Sequence, residues 1–233
     1  MPSNLRSRLA QWTQPANSTA VRNYLTLRKL IGILGIALPW AMWLGEAGLC
    51  PGAARQPTIS AYYYTLTRDI FVGILWALGV FLICYRGTRA ADDFVSTVAG
   101  VSAILVALFP TMPLSNAAHN SCVVRSVVSA HWQNIDSYVH HVSAAIFFLA
   151  ITCMSLFLFK NRGRHSWANW IYWVCGLTML GCLIWMIFGV SFWKETFAVE
   201  AFGVTWLVNG IAMLKDQGDR PDRFWHAPPS KFA

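Results

Sequence analysis

Seven ionisable side chains stand at or just inside the ends of long apolar stretches: Glu46, Asp69, Asp136, His140, His141, Glu195 and Glu200. Carboxylates beside imidazoles can hold a proton, a metal ion or a polar head group, which makes this set a candidate site. Asp136 and His140 are four residues apart and share a face of any helix that includes both, which is half of a metal site. Asp136 serves equally well as the N-cap of that helix, accepting its first free backbone N–H groups. Neither an HExxH motif nor a paired-cysteine motif adds ligands, so no cofactor is evident, and a metal ion rests on Asp136 and His140 alone. Asp69 follows Arg68 directly and can cap a helix while pairing with Arg68 or Arg125. Glu200 shares a helix face with Gly203, Leu207 and Gly210, and is expected to point inward. No nucleophilic-serine motif is present; Ser60, Ser143 and Ser191 qualify by position only.

The elements that must position these groups are apolar helices. Six stretches read as membrane spans: Leu30–Leu49, Ile70–Tyr85, Phe94–Met112, Val139–Phe159, Trp170–Trp193 and Thr196–Leu214. A hydrocarbon core of about 30 Å needs roughly 20 apolar residues of helix. The second stretch is short and needs its flanks or local bilayer thinning to complete it. Of the 18 Lys and Arg residues, all but Arg55, Arg68, Arg125 and Lys194 fall on the side of the two termini. The positive-inside rule then places both termini in the cytoplasm and the seven ionisable groups at the outer ends of their helices. The expected fold is therefore all-α: a polytopic protein with six transmembrane helices. Residues 1–28 read as a loose cytoplasmic segment, 29–214 as the membrane domain and 215–233 as a cytoplasmic tail.

Composition agrees with this reading. Hydrophobic residues make up 56% of the 233-residue chain and charged ones 12%, against about 25% charged in soluble domains. The net charge of +8 lies in flanks beside helix ends, where it sets topology and attracts anionic head groups rather than nucleic acid. Cys84, Cys153, Cys175 and Cys182 fall inside spans, whereas Cys50 and Cys122 lie in outer loops. An oxidising outer compartment makes those two a candidate disulfide. Small-residue stripes, with Gly32 and Gly35 in the first span, Gly100 in the third and Gly203 and Gly210 in the sixth, mark close helix packing. The run Tyr62-Tyr63-Tyr64 reads as an interfacial belt, and Asp92 and Asp93 as solvated charge.

The segments PTISAYYYTLTRDIFVGIL, ALFPT and HHVSAAIFF carry a resemblance. They look like bacterial multi-pass membrane proteins of unknown function that are distantly similar to the DRAM/Sfk group. The matching positions are Ile59-Ser60, Phe109-Pro110 and His140 or His141, with Ala61 standing where that group has an aspartate. The resemblance runs from about residue 57 to residue 214. It implies membrane lipid as the partner and carries over no catalytic residues. Seven-helix zinc hydrolases of the CREST superfamily fit less well, because the chain lacks a His-x-x-x-His element and one helix.

Three functions follow as expectations, in the cell's inner (plasma) membrane. The first is lipid handling, by binding or remodelling, through a polar pocket at the outer leaflet built from Asp69, Asp136, His140, His141, Glu195 and Glu200. The second is a membrane-embedded lipid hydrolase or transferase using the same groups. The third is a small-solute or ion transporter coupled through Glu200. Asp69, His140 and Glu200 are expected to converge in one pocket.

Overall fold

The computed structural model describes residues 15–87, 89–112, 130–159 and 166–219. Six helices carry the fold among them: α1 (Pro15–Leu49), α2 (Arg68–Cys84), α3 (Ala90–Leu108), α4 (Ala130–Cys153), α5 (Ser166–Met186) and α6 (Phe192–Asp219). A short 3₁₀ turn, Ser60–Tyr64, lies between α1 and α2, and a π-helical turn, Met154–Leu158, continues α4. Each helix packs on its neighbour in sequence, and α6 closes back on α1, so the six form a ring. Within the ring the packing is uneven. α2, α3 and α4 form one closely packed trio and α5, α6 and α1 another, with thinner seams at α1/α2 and α4/α5.

Glycine closes each trio. Gly32 of α1 faces Gly203 of α6 so tightly that a Cβ on Gly203 would lie 2.8 Å from the Gly32 carbonyl oxygen. Gly79 of α2 and Gly100 of α3 cross the same way, a Cβ on Gly100 lying 2.5 Å from the Gly79 oxygen. In lipid, where side-chain burial drives little association, such backbone contact supplies the packing energy. Ser96, in the same stripe of α3, donates to the Leu82 carbonyl at 2.6 Å. The π turn lets Leu156 reach across to Gly176 of α5, while Ser155 donates to the Tyr172 carbonyl at 2.8 Å.

Among the described residues four segments are long and apolar enough to cross a membrane: Leu25–Leu49, Ala90–Leu108, Asn134–Leu158 and Trp167–Met186. Their outward faces expose large apolar side chains such as Leu44, Phe94, Leu149 and Trp170, which water would not tolerate in that number. The protein has the build of a membrane protein. α2 is about 25 Å long from its 17 residues, shorter than a hydrocarbon core. α6 carries Lys194, Glu195 and Glu200 near its start.

Several expectations change here. α1 begins at Pro15, well inside the segment read as loose, and buries Leu25 and Arg28. Arg28 donates to Asn209 at 3.1 Å and to the Tyr85 hydroxyl at 3.2 Å, a polar knot tying α1 to α6 and to the end of α2. Asp92 is buried rather than solvated, its Oδ2 accepting the Arg89 N–H at 2.9 Å, and Asp93 accepts the Gly87 N–H at 2.6 Å. Both carboxylates satisfy free N–H groups where α3 begins, because a helix start leaves such donors without partners. Tyr62 and Tyr64 are buried in the core rather than forming a belt; Tyr63 alone of the run is half-buried, stacked under Arg68.

Candidate functional site

The end of the ring remote from the termini holds a polar centre assembled from four places in the chain. The first is the 3₁₀ turn. Thr58 caps it, Oγ1 accepting the Ala61 N–H at 3.1 Å, and the turn is tied to α6 by the Phe192 N–H on the Pro57 carbonyl. Its opening residue, Ser60, faces the bundle interior. The second place is the end of α3. Pro110 forces Phe109 out of helical geometry, since a residue before proline avoids the α region. Phe109 is extended, and its carbonyl turns toward α4. His140 of α4 and Glu195 of α6 complete the set.

His140 is buried, at 2% exposure, and both ring nitrogens are committed. Nδ1 lies 2.7 Å from the Phe109 carbonyl oxygen, which only accepts, so Nδ1 carries the hydrogen. Nε2 of the neutral ring is then the acceptor, and it sits 3.1 Å from Ser60 Oγ. Ser60 Oγ is also 3.5 Å from Glu195 Oε1, while Glu195 Oε2 accepts the Ile59 N–H at 2.5 Å. The serine has one hydrogen to give, and the shorter contact to Nε2 takes it. Glu195 is buried too, and its bond to the Ile59 N–H anchors the 3₁₀ turn on α6.

Two cavities meet at this centre. A chamber of about 380 Å³ is lined by the polar residues Thr58, Ser60, Ser137, His140, His141 and Glu195 and by apolar ones such as Met112, Phe148, Leu183 and Val190. Beneath it an apolar slot of about 60 Å³ descends between α1, α2, α3, α4 and α6, past Phe71, Leu75 and Leu78. Ser60, Ala144, Phe148 and Glu195 line both. Residues 71 to 78 cover about 10 Å of α2 at roughly 1.5 Å per residue. The slot lies between the two trios, where their packing is thinnest.

Of the expected pocket residues, His140, His141 and Glu195 line one chamber, and Asp69, Asp136 and Glu200 do not. His141 is exposed and turns its Nδ1 back to the Ser137 carbonyl at 2.6 Å. Asp69 is exposed at the start of α2, and Arg68 donates to the Tyr63 hydroxyl instead of pairing with it. Asp136 is half-buried beside Tyr64. Glu200 accepts the Trp40 indole N–H at 2.6 Å, because its helix face packs on α1 rather than on the chamber. The convergence of Asp69, His140 and Glu200 is therefore not what the structure contains. Of the Asp136–His140 pair, Asp136 stands beside Tyr64, whereas His140 bonds the Phe109 carbonyl and Ser60. Among the described residues no group of three or more His, Cys, Asp and Glu side chains is placed to share an ion.

Glu46 is buried and accepts the Gln56 side-chain N–H at 3.1 Å. Cys50 is disulfide-bonded, while Cys84, Cys153, Cys175 and Cys182 are free; Cys122 lies outside the described residues. Sequence reasoning missed the Phe109 carbonyl and Thr58. The Phe-Pro step ending an apolar run was the available signal for the first. The segments containing Ile59-Ser60, Phe109-Pro110 and His140, far apart in the chain, are neighbours at this centre. No family model matches the chain, and no curated protein or solved structure matches it significantly.

Proposed function

We propose that the chain is a six-span protein of the cell's inner membrane that binds a membrane lipid, with its head group in the chamber and part of an acyl chain reaching into the slot. One observation carries this reading: a chamber bearing a cluster of polar side chains on otherwise apolar walls adjoins an apolar slot at Ser60, Ala144, Phe148 and Glu195. An amphipathic ligand is the natural occupant of two such spaces joined end to end. Charge supports the orientation. α1 starts and α6 ends away from the chamber, and in sequence the flanks and loops on that side carry most of the Lys and Arg, which supports a chamber opening at the outer leaflet. α2 and α6 complete the six spans as members of the ring, with outward apolar side chains such as Trp76 and Phe197 facing lipid. A transporter coupled through Glu200 has less support, because Trp40 holds that carboxylate on the α1/α6 seam.

Photolabelling tests the proposal. The full chain in lipid nanodiscs is irradiated with a phospholipid carrying a diazirine near the end of one acyl chain. Adducts on slot residues such as Leu75, Val106 and Phe202 are expected. Adducts confined to outward-facing positions such as Leu149 and Trp170 would show that the slot takes no lipid. Reporter fusions at Arg89 and Gln56 should report opposite sides of the membrane, with Gln56 outside.

A further inference from the structure

We propose that Ser60 is a nucleophile and His140 its general base, acting on an acyl ester of the lipid that occupies the slot. The inference deepens the lipid-binding reading and rests on it. Its basis is the direction of the hydrogen bonds. The Phe109 carbonyl fixes the proton on Nδ1 of His140, which leaves the Nε2 lone pair facing Ser60 Oγ at 3.1 Å. That is the separation and the tautomer a serine needs for activation by an adjacent base. A backbone carbonyl takes the orienting position that a carboxylate holds in Ser-His-Asp triads.

Position supports the same role. Ser60 lines the chamber and the slot at once, so an acyl chain in the slot would bring its ester carbonyl to the serine. His140 has no exposed surface to spend on solvent, yet it lines the chamber that the ester would enter. Thr58 Oγ1 already accepts the Ala61 N–H, so its own hydrogen is available to a developing oxyanion on the chamber wall. Glu195 holds the turn that carries Ser60 and is a positioning residue.

The step balances with water as the only co-reactant. Ser60 Oγ bonds to the ester carbonyl carbon while His140 Nε2 takes the hydroxyl proton. The tetrahedral adduct collapses, the ester C–O bond breaks, and the proton passes from Nε2 to the departing alcohol oxygen. Water, deprotonated by Nε2, then releases the carboxylic acid and restores the serine hydroxyl. An alcohol in place of water would make the same site a transferase.

The test uses the full chain in nanodiscs and a fluorophosphonate probe, with p-nitrophenyl octanoate as a reporter ester. Peptide mapping of the wild type should place the phosphonate on Ser60. Ser60→Ala should abolish both labelling and ester hydrolysis, and His140→Ala should slow labelling at least tenfold. The diazirine phospholipid should still label the slot in Ser60→Ala, which shows that this variant is folded. Slot labelling by the phospholipid with no phosphonate on wild-type Ser60 would overturn the nucleophile and leave lipid binding standing. Phosphonate on Ser60 with no phospholipid in the slot would leave the nucleophile standing and overturn its lipid substrate.

Discussion

The two ways in which helices meet in this ring differ in kind. At α1/α6 and α2/α3, facing glycines bring backbone against backbone, and no space is left. Between the trios, larger side chains such as Phe71, Phe148 and Phe202 hold the helices apart around a slot. The difference shows where a membrane protein can keep a cavity. Lipid tails compete with side chains for every apolar surface, so a void persists only where rigid walls on both sides resist collapse. Here the glycine crossings make each trio rigid, and the polar centre sits on the seam that they leave open.

The largest effect should come from filling a closed crossing. Gly203→Val and Gly100→Val each force a Cβ against a carbonyl oxygen, at a cost of about 3 kcal/mol. Thermal unfolding in detergent should show either variant losing most of its cooperative transition. Unchanged melting in both would mean that the crossings are not what holds the trios. Next is the covalent tie at the chamber end. If Cys122 is the partner of Cys50, Cys122→Ser should expose one new thiol to maleimide without reductant and cost about 2 kcal/mol. Absence of that new thiol would count against the bridge, since the other four cysteines are free.

The open seam should respond in the opposite way. Ala144 lines both cavities, so Ala144→Phe has room, and melting should change little. Slot photolabelling should nevertheless fall about tenfold, a change of about 1.4 kcal/mol in binding. A variant that unfolds, or that labels like the wild type, would erase the contrast between seams. The smallest effect concerns the 3₁₀ turn that carries Ser60. Burial pushes the Tyr62 and Tyr64 phenols up to about 12, from an ordinary value of about 10. The folded state keeps these protons after the unfolded state has lost them. Their contribution is full below about pH 10 and is lost as pH rises toward 12. The melting temperature should fall over that window, and Tyr64→Phe should flatten the fall; an unaltered profile in the variant would count against a buried phenol there.

Much of the scaffold was legible in the residues because apolar length and small-residue spacing are local signals. Gly32, Gly35, Gly100, Gly203 and Gly210 all face neighbouring helices as their spacing suggested. Element ends were less legible. The polar residues from Pro15 to Arg28 form helix because α6 supplies Asn209 for Arg28, a partner that no local window contains. The site was half legible for the same reason. A His and a Glu in or beside apolar runs attract notice, but the serine sits on a 3₁₀ turn whose direction depends on Glu195 and Thr58. Glu200 looked inward because its helix face is small and apolar; that face belongs to a closed crossing, where only the Trp40 indole is in reach.

The Arg28–Asn209 bond joins residues 181 positions apart. At about 5–20 residues per second of synthesis, α1 is complete roughly 8–32 s before Asn209 exists. Throughout that interval its Gly32 face lacks its native cover from α6. The ring is therefore sealed last by the helix made last, and a ribosome stalled between α5 and α6 leaves a five-helix arc. Such an arc has its most adhesive groove open, ready for the α6 of another copy.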